Sequence, residues 1–146
     1  MFIEPKRDLA MREYGLYVRK AVGMRKRILV VDDDQVLRSL IQELLEEEAY
    51  EVDTAIDGVD ALDRLDHQRN VYDVILLDLT MPRLNGLQFL QKVQAQDPTL
   101  LRSIIALSAD KETLQQSACM GIGNTLKKPF DPEELLVLVE RAMCWP

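Results

Sequence analysis

Tyr72-Asp73-Val74-Ile75-Leu76-Leu77-Asp78-Leu79-Thr80-Met81-Pro82-Arg83-Leu84-Asn85-Gly86 is the stretch on which the reading of this 146-residue chain turns. Val74 to Leu77 are four consecutive aliphatics, too few for a helix of their own, and read as a strand buried on both faces as in parallel sheets. The run stops on a carboxylate. Pro82 and Asn85-Gly86 then give two turn signals within eight residues, so the chain leaves the strand through a tight loop. Asp78 is thereby placed at the carboxyl end of a central strand, where open α/β sheets hold their ligands. That position makes it a candidate nucleophile.

On either side the same unit recurs, a short apolar run followed by a helical stripe. Ile28 to Val31 reads as a buried strand ending in Asp32-Asp33-Asp34, and Val36, Leu37, Leu40, Ile41, Leu44 and Leu45 mark the apolar face of the next helix. Glu51 to Ala55 alternates and is more polar, which suits an edge strand. A short helix begins at Asp57 and Asp60; another runs from about Gly86 to Asp97-Pro98. Ile104 to Leu107 is a fourth strand ending on Ser108, followed by a helix from about Asp110 to Met120 that Gly121 stops. Asn124 to Lys127 is a fifth, ending at Lys128-Pro129, and Asp131-Pro132-Glu133-Glu134 opens the last helix with a cap, a first-turn proline and a back-bonding glutamate. Strands and helices in strict alternation require parallel pairing through right-handed crossovers, hence a doubly wound α/β sheet of five strands with five helices. All strand ends then face one way. Asp32, Asp33, Asp78, Ser108 and Lys128 are gathered at one edge.

Carboxylates crowded into one crevice repel, so either their pKa values rise or a cation sits among them. All-oxygen ligands favour a hard ion, and Mg²⁺ takes one or two carboxylates while keeping waters that a phosphate oxygen can replace. A carboxylate beside such an ion can attack phosphorus and become an aspartyl phosphate. The ion, the Lys128 ammonium and the Ser108 hydroxyl would each serve one phosphoryl oxygen.

Composition narrows the classes. With 47% hydrophobic and 29% charged residues, the chain has the make-up of a soluble globular protein and is one domain's worth, with no room for a separate output module. A net charge of −7 disfavours nucleic acid as the main partner. Cys119 and Cys144 form no disulfide framework and suit a reducing cytosol. No run approaches the roughly 18 apolar residues of a membrane span, and no secretory segment opens the chain, so a cytoplasmic location is expected. Residues 1–23 stand apart, with five basic against three acidic side chains. Ala10, Met11, Tyr14, Tyr17, Val18, Ala21 and Val22 lie on one helical stripe behind Asp8, a basic amphipathic helix; alternatively the segment is a poorly ordered tail or a mis-assigned start, with Met24-Arg25-Lys26-Arg27 as the natural opening of a domain spanning 24–146.

Ile28 to Asp34, Tyr72 to Pro82, Asn85-Gly86-Leu87, Ile105-Ala106-Leu107-Ser108-Ala109 and Lys127-Lys128-Pro129-Phe130 together resemble the five signatures of response-regulator receiver domains, over roughly residues 26–143. The resemblance implies a flavodoxin-like sheet of order 2-1-3-4-5, as in the chemotaxis member. It implies that Asp78 is the phosphorylated aspartate and that Asp32 and Asp33 are the acidic pair, with Asp33 a direct Mg²⁺ ligand and the Thr80 carbonyl another. Ser108 matches the switch hydroxyl and Lys128 the lysine preceding a cis-proline. Thr80 and Asp110 fall where the family tunes phosphoryl lifetime, and Asp110 is a candidate for orienting a hydrolytic water. Thr125 stands where the family usually carries an aromatic. The implied function is a single-domain response regulator, a phosphoacceptor rather than an enzyme. Its phosphoryl group would come from a sensor histidine kinase or phosphotransfer protein, and its output would be contact with a further protein. A homodimer through the last two helices and the strand between them is a further partner option.

Simpler roles compete at individual positions. Asp78 could cap the loop after its strand, Ser108 could cap the next helix, and Asp34 is read as a helix cap. Lys127 and His67 are read as solvated, Cys119 as a helix core residue, and Trp145 as packing over the last helix. Two other functions stay open: a receiver-like scaffold that works without phosphorylation, and an aspartate-nucleophile phosphohydrolase using Asp32 within Asp32-Asp33-Asp34. A nucleotide-binding flavodoxin-like protein fits poorly, because the loop after strand one is acidic where phosphate binding wants glycines.

Overall fold

In a computed structural model, which describes residues 25–67, 71–81 and 83–143, five parallel strands stand in the order β2-β1-β3-β4-β5. They are β1 (Arg27–Val31), β2 (Glu51–Ala55), β3 (Val74–Asp78), β4 (Ile104–Ser108) and β5 (Asn124–Lys127). Between and after them run α1 (Gln35–Glu47), α2 (Gly58–His67), α3 (Gly86–Gln96), α4 (Lys111–Cys119) and α5 (Pro132–Met143). This is the flavodoxin-like doubly wound sheet that the alternation and the resemblance imply. The stripe proposed for residues 8–22, and Cys144 and Trp145, lie outside the described residues.

Alternation along the central strands explains why the core has two layers. Leu29, Val31, Ile75, Leu77, Ile104 and Ala106 face α2 and α3, packing on Ala61, Leu65, Phe89, Leu90 and Val93. Their neighbours Ile28, Val30, Val74, Leu76, Ile105 and Leu107 face the other way, onto Ile41 and Leu45 of α1 and Leu135 and Val139 of α5. A strand buried on both sides leaves no place for polar alternation, which is why β3 reads as a continuous aliphatic run. β2, whose first four residues keep some exposure, is an edge strand as its sequence suggests.

Two local details depart from the sequence reading. The chain does not simply leave α3 at Asp97-Pro98 but makes a 3₁₀ helix over Pro98–Ser103, because Leu100 and Leu101 have an apolar layer to enter. Cys119 is exposed, not a core residue: the inward positions of α4 are Leu114 and Ser117, and 119 falls on the opposite face. At the start of α5 the Glu134 and Leu135 amides donate to the Asp131 carbonyl, at 3.0 and 3.3 Å. Lys127 and His67 are exposed, as read.

Candidate functional site

The carboxyl ends of β1, β3, β4 and β5 converge because the register aligns them: Val31 pairs with Leu77, Asp78 with Leu107, and Ser108 with Lys127. The residue after β1 is Asp32, only 1% exposed. Its Oδ1 accepts the Asp34 amide at 2.9 Å, and Oδ2 accepts the Lys128 ammonium at 2.9 Å. The next aspartate, Asp33, is exposed. Asp34 caps α1, its Oδ1 accepting the Val36 and Leu37 amides. Three adjacent aspartates thus take three different roles.

Asp78 ends β3 and is 4% exposed. Its Oδ1 accepts the Thr80 amide at 3.1 Å and lies 3.5 Å from Lys128 Nζ. One carboxylate oxygen from each of Asp32, Asp33 and Asp78 falls within 4.8 Å of the others. Burial, followed by the charge of Asp32, pushes the Asp78 carboxyl up to about 6; the Thr80 amide and Lys128 offset only part of this. Burial opposes the charge on Lys128, but its hydrogen bond to Asp32 and the charges of Asp32 and Asp78 outweigh that and hold its pKa above the ordinary lysine value. One ammonium reaches two of the three carboxylates. The donor set therefore fits a hard divalent cation, with all-oxygen ligands and negative charge left over.

Ser108 ends β4 and is buried; its Oγ accepts the Asp110 amide at 3.0 Å, which fixes the turn into α4. Its carbonyl accepts the Lys128 amide at 2.9 Å, tying the exit of β5 to β4. The Lys128–Pro129 peptide is cis. Thr80 is exposed in the loop after β3, and Thr125 is half-buried opposite Ala106. The Asp110 carboxylate is occupied in the first turn of α4, where Thr113 Oγ and the Glu112 amide donate to it and hold its pKa below the usual carboxylate range.

One residue beside the site escapes a reading from sequence pattern. Arg83, in the loop from β3 to α3, donates from Nε to Oδ2 of Asp57, a buried carboxylate at the start of α2. Arg83 is the main reason the Asp57 pKa is lowered. The partners are 26 residues apart, and neither carries a motif that announces the other.

Comparison with known proteins gives a consistent result. Residues 28–140 match the family model described as the response regulator receiver domain. The response regulator ArlR of Staphylococcus aureus is 40% identical over 116 residues, covering 77% of this chain and 50% of that protein. The chain therefore spans about half the length of the curated relatives it matches. Among solved structures, the Vibrio cholerae chemotaxis protein CheY4 is 33% identical with a TM-score of 0.72, covering 81% of this chain and 98% of that one. The receiver domain of NtrX from Brucella abortus is 30% identical with a TM-score of 0.71, covering 80% and 97%.

Proposed function

Because the chain belongs to the response-regulator receiver-domain family of two-component systems, we propose that it accepts a phosphoryl group on Asp78 with the help of Mg²⁺ and signals through the altered protein surface. The observation that carries this reading is the charge imbalance at the strand ends: three carboxylates drawn together and one ammonium between two of them.

Asp33 and Asp78, with the Thr80 carbonyl, would hold the ion, and Asp32 would complete the acidic pocket. When bound, Mg²⁺ supplies charge neutralisation at a phosphoryl oxygen and organises the approach. A carboxylate oxygen of Asp78 attacks phosphorus, the bond from phosphorus to the donor's imidazole nitrogen breaks, and that nitrogen leaves with the electron pair and takes up a proton. Lys128, already within 3.5 Å of Asp78, stabilises a second phosphoryl oxygen. To serve a third, the Ser108 hydroxyl, now the acceptor of the Asp110 amide, turns to donate its O–H to the phosphoryl group, exchanging one side-chain position for another. That exchange is a local two-state event at the start of α4, and it offers a route from the site to the surface formed by α4, β5 and α5.

The donor is a sensor histidine kinase or a phosphotransfer protein and the receiver of the signal is another protein, in the cytoplasm; among the described residues no helix is long and apolar enough to cross a membrane. The protein takes part in its own phosphorylation and dephosphorylation without turning over a substrate. A test is to incubate the full chain with a small phosphodonor and Mg²⁺ and map the modified residue by peptide mass spectrometry. Modification at Asp78 is expected; modification at Asp32 would instead favour the phosphohydrolase, and none at all the scaffold.

A further inference from the structure

The loop that joins β3 to α3 carries Thr80, and its two ends are pressed against solid structure. At the far end, a Cβ on Gly86 would lie 2.4 Å from Leu79 Cα, and the Gly86 amide donates to the Leu79 carbonyl at 3.0 Å. Across the loop, a Cβ on Gly58 would lie 2.6 Å from the Leu84 carbonyl oxygen, so the start of α2 packs directly on the loop backbone. Only glycine permits either approach. Between these points Thr80 is exposed but tied through its amide to Asp78 and flanked by the buried Leu79 and Met81, whereas Arg83 is exposed without burial to fix it.

Among the described residues of this loop, Asn85 caps α3 through its side chain, and Arg83 is the one whose side chain hydrogen-bonds outside the two elements that the loop joins. Its acceptor is well anchored: Asp57 Oδ1 accepts the Asp60 amide at 2.9 Å and its carbonyl accepts the Ala61 amide at 3.0 Å, so the carboxylate is part of the first turn of α2. The Arg83 side chain remains 58% exposed while its partner is 5% exposed. Removing the arginine would leave a buried carboxylate short of a donor, so the bond ties the exposed loop to a fixed acceptor.

We infer that Arg83 and Asp57 form a clasp that holds the β3–α3 loop over the acidic pocket and so sets the affinity of the Asp33–Asp78–Thr80 site for a divalent cation. The inference rests on the proposed function for the identity of the cation. Arg83 is a positioning residue, since it acts on the pocket only through the loop backbone. Releasing the clasp lowers the fraction of molecules with the loop in its binding position, and apparent affinity falls by that fraction.

The experiment compares the full chain with Arg83→Ala, Arg83→Lys, Asp57→Asn and the double variant R83A/D57N. It uses calorimetric Mg²⁺ titration, and amide exchange over residues 79–86 without metal. Asparagine keeps the helix cap, so D57N tests the clasp without removing the start of α2. Arg83→Ala is expected to weaken Mg²⁺ binding roughly three- to ten-fold and to speed exchange in the loop, with Arg83→Lys intermediate. Because both residues act through one bond, the double variant should bind Mg²⁺ no more weakly than the worse single variant. Unchanged Mg²⁺ affinity in Arg83→Ala, unchanged loop exchange, or fully additive losses in the double variant would each overturn the clasp. Failure of the unsubstituted chain to bind Mg²⁺ would instead overturn the functional reading beneath it.

Discussion

At the amino ends of the strands, Glu51, Asp53 and Asp73 gather around Arg27; at the carboxyl ends, Asp32, Asp33 and Asp78 draw together with Lys128 between Asp32 and Asp78. The inventories match, three acids and one base, but the arrangements differ. In the lower group Asp53 Oδ2 accepts both the Arg27 guanidinium and the Tyr72 hydroxyl at 2.7 Å, Asp73 accepts the Arg27 amide at 2.8 Å, and Glu51 lies 3.7 Å from Arg27. The guanidinium also lies over the Tyr72 ring, 6.0 Å from its centroid. Burial, helped by the bond to Asp53, pushes the Tyr72 phenol up to about 12, so it stays a donor. Asp53 and Asp73 each have a hydrogen-bond donor from Arg27 or Tyr72, and Glu51, half exposed, is an ion-pair neighbour of the guanidinium only. In the upper group a single ammonium reaches two of the three acids, and Asp78 carries the cost as a carboxyl pushed up to about 6. A planar guanidinium and a phenol both donate to Asp53, whereas one point charge at the upper end leaves room for another cation. Acidic clusters alone say little about function, and what separates these two is which one is electrostatically finished.

The largest expected difference is covalent. Asp78→Asn should abolish labelling by a small phosphodonor, read by intact mass, whereas Asp53→Asn should leave labelling within about two-fold of the parent. Equal loss in both would erase the distinction between the ends of the sheet. Next, Lys128→Ala leaves Asp32 buried without its ion-pair partner. It should cost about 3 kcal/mol in urea unfolding without metal and recover part of that in Mg²⁺. No recovery would mean that the pocket takes no cation in place of the ammonium. Smaller again, Tyr72→Phe removes one hydrogen bond to a carboxylate and should cost about 1.5 kcal/mol, with phosphoryl labelling unchanged.

The smallest effect is in pH. The Asp78 pKa is raised in the folded chain, so without metal its bound proton stabilises the fold at low pH, and that contribution is lost as pH rises through about 6. A cation must displace this proton. Apparent Mg²⁺ affinity should therefore be flat above about 6 and fall about ten-fold per pH unit below it, measured by calorimetry at constant ionic strength.

Sequence exposed the upper cluster far better than the lower one. Asp32, Asp78 and Ser108 each sit where an apolar run breaks at a strand end, and Lys128 stands before a proline at the end of the more polar Asn124–Lys127 strand, so the runs locate the first three and the alternation of strand and helix brings all the ends together. The lower network has no such marker. Tyr72 and Asp53 lie on either side of α2, and pairing them requires the register of β1 with β2, in which Leu29 faces Asp53. The clasp of Arg83 on Asp57 is hidden for the same reason: each residue reads locally as a loop charge or a helix cap, and only the close approach of Gly58 to Leu84 brings the two loops together. Cys119 departs from its sequence reading because α4 is short and only two of its residues are buried, which leaves the stripe too sparse to orient. Side-chain partners across loops depend on tertiary geometry that periodicity does not encode.

The unfinished charge at the upper end is tested most directly by the thermal midpoint of the full chain at neutral pH as Mg²⁺ is raised. A cation that binds only the folded pocket should give a saturable occupancy signal and a rising midpoint, worth about 2.7 kcal/mol at a hundred-fold excess over Kd. A midpoint that ignores Mg²⁺, or one that rises just as far when Asp33 and Asp78 are both replaced by asparagine, would contradict it.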